Sequence, residues 1–188
     1  MRPWLALRAA GLELETVVLR LDYPDFKALV PAPTGKVPVL LDGEVVIHES
    51  LAICEYAAEL APEAGLWPEA RQDRAQARAL ALEMHAGFAA LRAECPMDVL
   101  RAEAPGAWPL SAAARADVAR VDAVFSSAGR RADGPFLFGR FGIVDAMFAP
   151  IVTRLLSYGL AVSDAARPYV AAVRSHALVE AWYQAGAR

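Results

Sequence analysis

Apolar positions change their period several times along this chain, and each change marks an element. Trp4, Leu5, Leu7 and Ala10 recur at helical spacing from Arg2 onward, with Pro3 suited to a first turn and Gly11 closing the run. Thr16 to Leu21 (TVVLRL) then reads as a strand, and Asp22 to Pro33 as a turn-rich connection with a short helix around Asp25 to Leu29. Thr34-Gly35 signals a turn. It is followed by the β-branched run Val37 to Leu41, an Asp42-Gly43 hairpin signal and a returning strand over Val45 to Ile47. After His48 the spacing becomes helical, with Leu51, Cys54, Ala57 and Ala58 on one face. Pro38 cannot donate to a ladder, so it belongs at a strand's start or edge, where a cis bond would make a tight corner.

Ala61 to Gln72, with Pro62, Gly65, Trp67 and Pro68, reads as a linker in which Trp67 plugs a junction. The rest is helical. Asp73 with Gln76 makes a capping box, and Ala77, Leu80, Met84, Phe88, Leu91 and Cys95 form one continuous apolar stripe. Arg78, His85 and Arg92 fall seven apart beside it. For Arg78 the simplest reading is a solvated helix face, and for Arg2 a solvated helix N-terminus. Cys95-Pro96-Met97 ends that region, Pro105 to Pro109 is a loop, and Ser111 caps a helix bearing Val118, Val121, Val124 and Phe125 that ends at Gly129. Tyr169, Val173, Trp182 and Tyr183 are read as packing residues of the last helices. The resulting division is an α/β unit over residues 1–61, a linker over 62–72 and an all-α unit over 73–188.

Composition narrows the function. With 56% hydrophobic and 22% charged residues among 188, the chain has enough apolar mass for a substantial core. A formal charge of −3 advertises neither nucleic acid nor an anionic membrane as a partner. Cys54 and Cys95 form no CxxC pair, and His48, His85 and His176 lack metal-ligand spacing, so no metal is expected. No apolar stretch reaches membrane-spanning length and the start shows no secretory pattern, which points to a cytoplasmic protein.

The ordered set K-V-P-V-L, D-G and E-S-L-A-I-x-E-Y, between Lys36 and Tyr56, resembles the second half of the thioredoxin-like domain of cytosolic glutathione S-transferases. The resemblance implies a thioredoxin-like α/β N-terminal domain, here lacking its first strand, followed by an all-α C-terminal domain. It also implies a glutathione site. The backbone of Val37, before a cis Pro38, would pair with the cysteinyl unit as an added strand. Glu49 would meet the γ-glutamyl ammonium. Ser50, at a helix N-terminus, would meet its carboxylate, and Lys36 the glycyl carboxylate or the peptide backbone.

E-M-H-A-G-F-x-x-L-R resembles the first helix of the second domain in a bacterial, zeta- and beta-like branch, which implies an electrophile pocket drawn from His85, Phe88 and Arg92. In P-F-L-F-G-R-F-G-I-V-D-A-M-F-A-P the family's Ser or Thr cap position is Gly142, and Asp145 is retained as a folding device. The residue that acts on the glutathione sulfur would sit in a loop before the first helix, upstream of Met1, so the catalytic residue is unknown. The expected activity is conjugation or maleyl-type isomerisation of a small electrophile by a homodimer. The alternative is a binding or assembly module of the same fold with a vestigial site.

Overall fold

The computed structural model describes residues 1–101, 108–128 and 133–186. Helix α1 (Arg2–Ala9) is followed by a long irregular stretch, the short helix α2 (Phe26–Leu29) and strands β1 (Val39–Asp42) and β2 (Val45–His48). Then come α3 (Ser50–Leu60), a 3₁₀ turn (Pro62–Ala64), α4 (Arg71–Ala86), α5 (Ala89–Glu94), α6 (Ala112–Phe125), α7 (Ile143–Ser157), α8 (Arg167–Arg174) and α9 (Ala177–Gly186).

The strands form an antiparallel hairpin that pairs Val39 with His48 and Asp42 with Val45. Its turn residues are therefore Gly43 and Glu44, one position beyond the Asp42-Gly43 pair read from the sequence. Gly43 takes φ +56°, a value glycine adopts without the Cβ penalty.

Helix α7 is the axis of the core. It is apolar on nearly every side, and α1, α4 and α8 pack against it. Helix α1 also packs on α3, so Leu5, Ala6, Ile53 and Cys54 join Met84, Leu91, Met147 and Phe148 in one hydrophobic cluster. Trp67 is buried, as a plug should be. Its Nε1 donates to Glu55 Oε2 at 2.9 Å, and the Arg78 guanidinium lies 5.4 Å from the ring centroid.

Three expectations need correction. Thr16 to Leu21 is not a strand, and the only ladder among the described residues is β1–β2. A strand needs a partner, and no described segment pairs with this one. Val17, Val18 and Leu21 are consequently 73%, 84% and 71% exposed.

The Asp73–Gln76 capping box does not form. Helix α4 already starts at Arg71 with Ala70 as its N-cap, which leaves Asp73 inside the first turn, where its charge still favours the helix dipole.

Nor is the stripe from Ala77 to Cys95 one helix. Gly87 ends α4, and Phe88 adopts φ +58° before α5 resumes the apolar spacing. The Ser111 cap does form, its Oγ accepting from Ala114 N at 3.1 Å. Gly129 and residues 105–107 of the expected loop lie outside the described residues.

Candidate functional site at the mouth of helix α3

The Lys36-Val37-Pro38 segment enters β1, and β2 delivers Glu49-Ser50 to the start of α3, so the hairpin brings these positions to one end of the sheet. The Val37–Pro38 peptide is cis. Pairing begins at Val39, so the Val37 backbone stands outside the ladder, with its side chain half-exposed. Lys36 is exposed, and its backbone N–H is taken up by Thr34 Oγ1 at 3.3 Å.

Glu49 and Ser50 have unusual local states. Glu49 is the N-cap of α3 with φ +73° and ψ 125°, a conformation that non-glycine residues rarely hold and that is concentrated at functional sites. Its side chain is 56% exposed. Ser50 is 1% exposed, and its Oγ has no hydrogen-bond partner. A buried hydroxyl without a partner costs about 1–3 kcal/mol.

The C-terminal domain closes over this mouth. His85, near the end of α4, places Nε2 at 3.5 Å from Glu49 Oε2 and Nδ1 at 3.5 Å from Arg2 Nη1. Arg92, from α5, donates to the His85 carbonyl oxygen at 3.1 Å. Arg2 is held below its ordinary pKa first by burial and then by the Arg92 guanidinium. His85 and Arg92 thus stand on the side of α4 and α5 that faces Arg2 and Glu49. Phe88, grouped with them in the sequence reading, is packed in the core, its ring edge-on to Phe148 at 6.2 Å between centroids.

Residues passed over or discounted in the sequence complete the frame. Arg78, read as solvated, pairs with Glu55 through Nε at 3.1 Å and Nη2 at 3.3 Å. Arg2 is not a solvated helix end. It reaches from α1 to His85 and, at 3.9 Å, to Met84 Sδ. Only the coincidence of Arg78, His85 and Arg92 at seven-residue intervals hinted that this side of α4 and α5 meets something polar.

Cys54, one turn into α3, is buried with its thiol pushed up to about 12 by desolvation, so it offers no thiolate. Asp145 is a distant folding group. It accepts from Gly142 N at 3.0 Å, Leu137 N at 3.2 Å and Tyr169 Oη at 3.0 Å, while burial pushes its carboxyl up to about 6. Among the described residues no cluster of three His, Cys, Asp or Glu side chains could hold a metal ion, and no helix is long and apolar enough to cross a membrane.

A cis-proline hairpin leading into a helix, followed by a helical bundle, is a thioredoxin-like N-terminal domain with an all-α C-terminal domain. The comparisons agree. Residues 1–60 match the family described as glutathione S-transferase, N-terminal domain. Glutathione S-transferase Z2 of Arabidopsis thaliana is 31% identical over 157 residues, which span 78% of this chain and 67% of that protein. A protein described as "Probable maleylacetoacetate isomerase" of Vibrio cholerae is 46% identical over 54 residues, 29% of this chain and 25% of its own length. Among solved structures, a glutathione transferase homologue from Burkholderia gl BGR1 with bound glutathione superposes with a TM-score of 0.71 at 25% identity, covering 99% of this chain and 90% of that one. The chain belongs to the glutathione S-transferase family.

Proposed function

We propose that this protein binds glutathione at the mouth of α3 and presents the thiol to a small electrophile held between the two domains, for conjugation or for maleyl-type isomerisation. The observation that carries the proposal is the buried, unpartnered Ser50 Oγ beside a Glu49 held at positive φ. The γ-glutamyl end of glutathione bears a carboxylate and an ammonium. Ser50 Oγ and the outward N–H groups of α3 supply donors for the first, and the Glu49 carboxylate supplies the countercharge for the second. The Val37 backbone, outside the ladder, pairs with the cysteinyl unit, and Lys36 meets the glycyl end.

Held this way, the sulfur faces the cleft beneath α4 and α5, where Arg92 is the polar group for the electrophile's side. Rate enhancement comes from proximity and from stabilising the thiolate. In this reading the protein works as a cytoplasmic homodimer.

The likeness to a structure solved with bound glutathione and to proteins described as glutathione transferases and a maleylacetoacetate isomerase supports the proposal. Titration calorimetry with glutathione tests it. Saturable binding at millimolar or tighter affinity is expected, together with conjugation of a generic aryl halide. No heat of binding at ten millimolar glutathione would overturn it.

A further inference from the structure

The side chains of Arg2, His85 and Glu49 form a chain that crosses from one domain to the other and back. Arg2 comes from α1, His85 from α4 and Glu49 from the cap of α3. A guanidinium can only donate, so the long contact at 3.5 Å from Arg2 Nη1 makes His85 Nδ1 the acceptor. The neutral ring then carries its hydrogen on Nε2, the nitrogen that faces Glu49 Oε2 at 3.5 Å. Arg92 fixes the same residue from the other side by donating to the His85 carbonyl oxygen. The imidazole is therefore oriented from both its ring and its backbone, and what it presents to Glu49 is an N–H.

Glu49 needs such a support. Its backbone sits at φ +73°, its side chain is 56% exposed, and His85 Nε2 stands 3.5 Å from its Oε2. A carboxylate has about four lone-pair sites, so an N–H at Oε2 leaves Oε1 free for an incoming ammonium. Resting on the glutathione reading above, we propose that His85 is a positioning residue for amine recognition. Oriented by Arg2, it holds the Glu49 carboxylate where the γ-glutamyl ammonium of the thiol peptide docks. This moves His85 from the electrophile's side of the cleft to the glutathione side. It also makes the selectivity for a free α-amino group a property of the interdomain contact.

The experiment compares glutathione with an analogue lacking the γ-glutamyl amino group, by calorimetry on the full chain. The wild type is expected to prefer glutathione. His85→Leu is expected to weaken glutathione about tenfold, by freeing the Glu49 carboxylate from its 3.5 Å contact, and the deaminated analogue less than about twofold. His85→Gln, which keeps an N–H donor of similar reach, should recover most of that loss. Arg2→Met should reproduce the selective loss in weaker form. Equal weakening of both ligands by His85→Leu, or the same deficit in His85→Gln, would overturn the positioning role while leaving glutathione binding intact. A wild type that binds neither ligand would instead sink the glutathione reading itself.

Discussion

Trp67 Nε1 donates to Glu55 Oε2 at 2.9 Å, so the aromatic ring of the linker is pinned to the helix that opens with Ser50. The same carboxylate takes two bonds from Arg78 of α4, and the Arg78 guanidinium covers the Trp67 ring. Linker, α3 and α4 therefore meet at one acid. Glu55→Ala should cost about 1–3 kcal/mol, because it leaves the buried indole N–H without an acceptor. That corresponds to a fall in Tm of roughly 2–12 °C for a chain of this size, read by thermal unfolding. Glu55→Gln keeps an acceptor for Trp67 and should cost less than half as much. If the two variants unfold together, the indole bond is not what matters.

Ser50→Ala should separate stability from binding. The substitution removes a buried hydroxyl that has no partner, so the unliganded protein should keep or gain up to about 1 kcal/mol. Glutathione affinity should fall by about tenfold, since a hydrogen bond to a charged group is worth about 1.5–3 kcal/mol. A large loss of stability without ligand would mean that Ser50 serves the helix instead of a ligand.

Gly142→Ser would supply the side-chain oxygen that the α7 N-cap lacks, yet it is expected to destabilise. A Cβ there would lie 2.6 Å from the carbonyl oxygen of Leu66, which accepts from Ile143 N at 3.0 Å. The linker runs too close for any side chain, and overpacking of this kind costs about 1–3 kcal/mol. Chemical denaturation of the variant decides the sign.

Asp145 gives a pH dependence of definite direction. Burial raises its carboxyl from 3.8 to about 6 in the folded protein, so the folded state holds this proton to higher pH than the unfolded chain does. Its contribution is complete below about 3.8 and is lost as pH rises through about 6. Relative to Asp145→Asn, which does not titrate, the wild type should therefore lose stability between those values, by up to about 1.4 kcal/mol per pH unit. Urea unfolding of both proteins across that range measures the difference. Asp145→Ala, which strands the donors from Gly142, Leu137 and Tyr169, should cost about 3 kcal/mol or more.

The parts of the fold that could be read from the sequence were those set by local chemistry. Pro38, the Gly43 turn and the Glu49-Ser50 corner lie within a short span, and each constrains its own backbone. The failures were non-local. Thr16 to Leu21 has strand composition, but a strand is defined by its neighbour. The break at Gly87-Phe88 was hidden because the apolar spacing is kept on both sides of it. Asp73 looked like a cap because polar residues also fill first turns. At the site, Glu49 and Ser50 were legible as residue types in order. The Arg2–His85 contact spans 83 positions, and nothing in the sequence around either residue names the other. Phe88, which a familiar motif put on the electrophile's side, is 6% exposed and packs edge-on to Phe148.

The stretch from Thr16 to Leu21, outside any helix or ladder, has a consequence for handling the protein. Its exposed Val17, Val18 and Leu21 give apolar surface on which a second chain can stick. Concentrated solutions should therefore scatter light increasingly with dose. A charged residue in place of Val18 should restore clarity without touching Glu49 or Ser50.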